Sequence, residues 1–416
     1  MSLKKNVVLG YDAVSALGTD LDSQWARAVR GESGIGRLTR FPIAPDFPVR
    51  VAGEVAEIDA APYPFLSPRS LALWPSPLFK YALLVVHRAL AASGIVITPG
   101  LSPRVAVTFS SAIGGLDAIL AADRRMIAES KLPPPYANPN SCINMVSGKI
   151  AMLTGATGPI TATITACATG VTSMIVGALL LDAGRADVAI CGAVDFALVE
   201  PIIAGFATMN AAYQAKPGEV EEPPGRASRP FSFGRRGFVI SEGAACIILS
   251  TDAFARAHGL APAVQIAGWS MTADAHHFVA PYLKTVSRCI ADSVDNAGIS
   301  LHDVAAVNAH AASTRIGDRV EYEALKTLFR GRIPPVSANK SMIGHAMGAS
   351  SAIESIFAME GMRKDTILPT INHTPDPELL LDCVADGARR ASQEFVLKNS
   401  FGFGGCNACM VLQRIA

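Results

Sequence analysis

Short, almost wholly apolar runs alternate along the chain with longer stretches in which apolar positions recur every three or four residues. The short runs predict strands buried on both faces at 105–109, 161–165, 188–191, 244–249, 305–309, 395–398 and 408–413. The longer stretches predict helices at 21–30, 79–92, 167–183, 282–297, 318–329 and 349–363. Strand–helix alternation of this kind argues for α/β layers around buried sheets. The helix at 167–183 is apolar nearly all round, which places it between layers. Residues 214–236 are rich in Pro, Gly and charge and read as a surface excursion. Residues 104–107 lead through a small-residue turn into a helix, and 305–308 do the same through His310-Ala311-Ala312-Ser313-Thr314. The echo predicts two related halves, 1–254 and 255–416.

Composition narrows this picture. Of 416 residues, 50% are apolar and 17% charged, with 36 Lys+Arg against 35 Asp+Glu. Disorder and a basic nucleic-acid surface are both excluded by that balance. Scarce charge in a chain this long points to a large core and to further burial at a subunit interface. Eight scattered cysteines fit a reducing cytoplasm better than a disulfide scaffold. The apolar run after Lys4-Lys5 is too short for a signal-peptide core. No charge falls between Lys149 and Asp182, but Pro159 and four glycines interrupt the segment. It reads as a buried strand and a buried helix, not a membrane span.

Three groups of residues can do chemistry. Cys167 lies in a small-residue turn opening a long helix, where unpaired N–H groups and the helix dipole favour thiolate. His310 and His345 each stand at a strand-to-helix junction, the kind of place where open α/β sheets bind ligands. Gly402, Gly404 and Gly405 precede a strand rather than a helix, so this turn is no dinucleotide fingerprint. Its N–H groups are instead available to a developing oxyanion. Cys406-x-x-Cys409 lacks a second cysteine pair for zinc, and Ser337-x-x-Lys340 lacks the companion motifs of penicillin-binding enzymes. No metal site is expected.

In order, the motifs TACATG, NAHAAST…GD, SANKSMIGHAMGA and NSFGFGG, with RPFSFGRRGFVISEGAA, resemble the elongating β-ketoacyl-[acyl carrier protein] synthases of the thiolase superfamily. The resemblance spans almost the whole chain. It implies a duplicated five-layered αβαβα sandwich, usually a homodimer, and no cofactor beyond the phosphopantetheine of the carrier protein. It implies Cys167 as nucleophile, and His310 and His345 as the pair acting on the malonyl thioester. Lys340 would be the catalytic lysine of the site, paired with Glu354, with Asp318 and Glu321 in the supporting network. Phe403 would be the gating residue, its N–H joining that of Cys167 in the oxyanion hole. Thr314, Phe401 and Ile113 would line the substrate path, Ile113 limiting acyl depth.

Departures from the family pattern are local. Ala312 and Val279 stand where the family carries threonines for the phosphopantetheine arm, and Cys406 replaces a further threonine. The stretch 66–74, expected to meet the acidic carrier protein, keeps only Arg69 as a charge. These changes mark a specialised synthase, acting in fatty acid or polyketide and polyene biosynthesis. Two alternatives share the fold: a non-elongating chain-length-factor-like subunit, making a heterodimer with a related chain, and an acyltransferase that does not condense.

Overall fold

The computed structural model describes residues 5–214 and 222–415. Ten strands carry the architecture: β1 (Asn6–Ser15), β2 (Val105–Ser110), β3 (Ile160–Thr161), β4 (Val188–Asp195), β5 (Gly243–Thr251), β6 (Val264–Ala273), β7 (Val304–Asn308), β8 (Val336–Ser337), β9 (Phe395–Gly402) and β10 (Cys406–Arg414). They form one mixed sheet in the order β8-β7-β9-β10-β6-β1-β5-β4-β2-β3. The first five lie as 3-2-4-5-1, and the second five repeat that order with five added to each number. Strand directions repeat too: β2, β3 and β4 are parallel, as are β7, β8 and β9, and the other pairings are antiparallel. Within the sheet, the strands of the two halves join where Asn6–Val8 pairs with Val264–Ile266.

Helices complete five layers. Pro77–Ser93 and Asn144–Thr154 cover the outer face of the first half. Leu283–Asn296 and Arg315–Leu328 cover the second. Thr169–Asp182 and Met347–Arg363 pack on each other between the two halves. Both inner helices are buried nearly all round, as the nearly all-round apolar pattern of 167–183 requires. A Cβ on Gly170 would stand 2.6 Å from the Ala352 nitrogen, so only glycine permits this helix contact.

Several expectations are corrected. The strand expected at 161–165 pairs only at Ile160–Thr161. Beyond it the threonines turn to the following helix: the Thr165 N–H donates to Thr169 Oγ1, and Thr165 Oγ1 donates to Thr172 Oγ1. The long helix begins at Thr169, preceded by a 3-10 turn over Ala166–Ala168 that holds Cys167. Helix 318–329 starts three residues early, at Arg315. Residues 222–236 are not a surface excursion: Phe231 and Ser232 are wholly buried, and the Phe231 N–H donates to Asp318. Residues 215–221 of that stretch lie outside the described residues. Among the described residues, no helix is long and apolar enough to cross a membrane.

Candidate active site

Six parallel strands end at one place. From β2 the chain passes to Ser111 and Ile113, from β3 to Cys167, and β4 ends on Asp195. From β7 it passes to His310, from β8 to Lys340, and β9 ends at Phe401-Gly402. Convergence at carboxyl ends of parallel strands is where α/β folds build sites.

Cys167 Sγ lies 3.1 Å from His345 Nε2, and His345 Nδ1 lies 3.0 Å from Ser350 Oγ. The His310 ring stands 5.9 Å from the His345 ring, at 81° to it, and 5.7 Å from Phe401. Phe238 packs edge-on against His345 at 5.2 Å. The N–H groups of Phe403 and of Cys167 itself point at the sulfur. Gly402 makes this possible: a Cβ there would collide with the Thr165 carbonyl, so the β9 end lies directly against the cysteine turn. Phe403 sits on the following hairpin turn, 6.4 Å from Phe206, within an apolar cluster that also holds Ile113 and Met347. That cluster is the apolar side of the site.

Beneath the histidines lies a buried charge cluster. Lys340 Nζ donates at 2.6 Å to the His310 carbonyl and at 2.6 Å to Glu354 Oε1. Lys398 Nζ donates at 2.6 Å to the other oxygen of Glu354. Glu321 accepts the backbone N–H groups of His310 (2.9 Å) and Ala311 (2.8 Å) and the Asn399 amide (3.0 Å). Asp318 accepts the N–H groups of Phe231 and Thr314, with Arg235 3.8 Å away. Thr314 itself is half-buried at the start of helix 315–328.

Burial sets the protonation of this site. It pushes the Cys167 thiol up to about 11, outweighing the Lys340 ammonium and the two N–H groups. The thiolate expected from the helix terminus alone is therefore not the resting form. Burial, reinforced by Lys340 and Lys398, holds both imidazoles well below their usual range. Asp318 is raised to about 7 by the same desolvation. The resting site is a neutral thiol beside a neutral imidazole.

Two groups were missed in the sequence. Asp195, wholly buried, accepts Ser111 Oγ and the N–H groups of Ala112, Ile113 and Gly348, tying the Ile113 turn to the first turn of helix 347–363. Lys398 is the other. Each is a lone charge in an otherwise apolar strand, and that was the available signal. His276 and His277 serve locally: His277 Nδ1 accepts the N–H groups of Val279 and Ala280, and His276 packs on Tyr282.

The chain is similar to known proteins over its whole length. Residues 4–255 match the family described as Beta-ketoacyl synthase, N-terminal domain, and 263–374 match Beta-ketoacyl synthase, C-terminal domain. The chain belongs to the β-ketoacyl synthase family and is an acyltransferase. Its reaction class is the ketosynthase condensation of fatty acid or type II polyketide assembly. It is 33% identical over 428 residues to 3-oxoacyl-[acyl-carrier-protein] synthase 2 of Coxiella burnetii (strain RSA 493 / Nine Mile phase I), with 100% of each chain covered. It is 33% identical over 421 residues to the protein of the same name in Staphylococcus aureus (strain COL), covering 100% of this chain and 99% of the other. Among solved structures, the ishigamide ketosynthase/chain length factor superposes with a TM-score of 0.89 at 27% identity. A β-ketoacyl synthase from Burkholderia phymatum STM815 gives the same two values, and each match covers 99% of this chain and 100% of the other. A type II PKS acyl-carrier protein in complex with its ketosynthase bound to the hexaketide gives 0.88 at 25%, with the same coverage.

Proposed function

We propose that the protein condenses an acyl group held on Cys167 with malonyl-acyl carrier protein, releasing CO2 and β-ketoacyl-carrier protein, within fatty acid or specialised polyketide or polyene biosynthesis. The carrying observation is the Cys167–His345 contact of 3.1 Å with His310 beside it. In the first half-reaction Cys167 Sγ bonds to the acyl carbonyl, its proton passes to His345, and the carrier thiol leaves protonated. The N–H groups of Cys167 and Phe403 hold the carbonyl oxygen as it becomes negative. In the second, the malonyl C–COO bond breaks and CO2 departs, and its electron pair passes into an enolate held by the N–H groups of the two neutral imidazoles. The enolate carbon attacks the acyl thioester, the Cys167 sulfur leaves as thiolate, and it takes a proton from water to replace the one that left on the carrier thiol.

Lys340, Glu354, Glu321 and Asp318 act as positioning residues through the backbone and charge of the His310 loop. Phe401 packs against His310, while Ile113 and Thr314 border the substrate path. Ala312 and Val279, apolar where the resemblance expects hydroxyls, support a specialised rather than housekeeping partner. Such a role places the chain in the cytoplasm, with its two related halves dividing near residue 254. The short edge strand β3, with Ile160 in it and Ile164 just after it both exposed, supports pairing with a second copy or a related subunit. The relatives that hold a carrier protein or a chain length factor support the same two partners here.

The test is intact-protein mass after incubation with acyl-carrier protein, then after malonyl-carrier protein. An acyl adduct lost to a β-ketoacyl product is expected. No adduct at all would make the chain a non-elongating subunit, and an adduct without condensation would make it an acyltransferase.

A further inference from the structure

Lys398 is the residue of the site that the chemistry above leaves without a task. It lies on β9, wholly buried, with Asn308 opposite it on β7 and Met410 on β10. Its ammonium donates to Glu354 Oε2 and to the Asn399 carbonyl at 2.9 Å. Glu354 thus bridges two lysines, one on each oxygen. A lone carboxylate needs only one cation, and a second buried ammonium is costly unless a second anion answers it. That anion is Glu321, which Asn399 joins to the same strand. Lys340 and Lys398 against Glu354 and Glu321 make two charges of each sign.

We infer that Lys398 is a second active-site lysine, a positioning residue whose ammonium balances Glu321 and Glu354 so that His310 and His345 work as neutral hydrogen-bond donors. This rests on the proposed condensation. With Lys398 removed, the cluster holds one cation and two anions, and the surplus carboxylate draws a proton onto an imidazole. An imidazolium at His345 could no longer take the Cys167 proton. The other titratable groups around the rings are few. Cys167 faces His345, Lys340 faces both rings, Asp195 lies beyond Cys167, and Asp318 with Arg235 lies beyond Glu321. Phe401 packs against His310 and Phe238 against His345, neither carrying a charge.

The experiment is the pH profile of malonyl-carrier decarboxylation and condensation by the full chain, unaltered and as Lys398→Met. The acid limb of the variant is expected to move up by about one pH unit, an about tenfold loss on that limb against little change at high pH. Lys398→Met with Glu321→Gln removes one charge of each sign and is expected to move the limb back. A Lys398→Met profile lowered equally at every pH, or unchanged, overturns the inference. Should Lys398→Met fail to fold, histidine ¹³C signals of the unaltered chain decide. Neutral rings for His310 and His345 at pH 6 agree, and an imidazolium there overturns it. No acylation and no decarboxylation by the unaltered chain at any pH would instead refute the reading of the site.

Discussion

In the first half of the sheet, β3 runs through Ala166–Ala168 into helix 169–182; in the second, β8 runs through Lys340–Ile343 into helix 347–363. The two segments occupy the same station in repeated topology, and each helix has a glycine at its second position, Gly170 and Gly348. Their contents differ. The first supplies one thiol among Ala, Thr and Gly; the second supplies Lys340, His345, Ser350 and Glu354. A similar contrast holds one strand over, where β2 leads to Ser111-Ala112-Ile113 and β7 leads to His310. One scaffold, used twice, thus gives an apolar half around the thiol and a polar half that carries the imidazoles and lysines. The division has a physical reason. A buried thiol tolerates apolar surroundings, whereas imidazoles and lysines need hydrogen-bonded carboxylates beside them, here Glu321 and Glu354 of the second half.

The contrast can be broken from either side. Cys167→Ala should abolish acyl-enzyme formation altogether, as intact-protein mass would show; a residual adduct would mean another nucleophile. Gly402→Ala joins the halves badly, because its Cβ would push the Thr165 carbonyl and with it the cysteine turn. Misplacement on that scale costs about 10²-fold in acylation rate, measurable by rapid quench, and an unaffected rate would disprove the close approach. Ile113→Phe fills the apolar side and should select against longer acyl donors by about tenfold, read from competition between donors, while histidine-dependent decarboxylation stays unchanged. The smallest effect is on stability. The two imidazoles are held below their usual range, so the unfolded chain binds more protons than the folded one below about pH 6.5. Their contribution is present above that pH and is lost as pH falls, by about 1.4 kcal/mol per unit for each ring. Denaturant titration should show this slope flattening in a His310→Asn, His345→Asn chain.

Legibility in the sequence followed the same division. Cys167, His310, Lys340 and His345 stand in compact motifs of small residues, and the structure brings them to one site. Asp195 and Lys398 were overlooked because each stands alone in a strand, VAICGAVD and FVLKNSFG, whose apolar pattern speaks of core. Strand β1 went unread because Gly10 and Asp12 interrupt its apolar run, although it pairs with both β5 and β6. Extension of the 161–165 strand failed because threonine hydroxyls there had local partners on the next helix, which no periodicity reveals.

The division of labour between thiol and imidazoles is tested most directly by following both half-reactions in His310→Ala on one time course, with acyl donor first and malonyl donor second. The predicted result is acyl-Cys167 formed near the unaltered rate and then persisting, with condensation slower by about 10²–10³. Parallel loss of both steps would contradict the account, since it would make His310 a partner of the thiol rather than of the malonyl group.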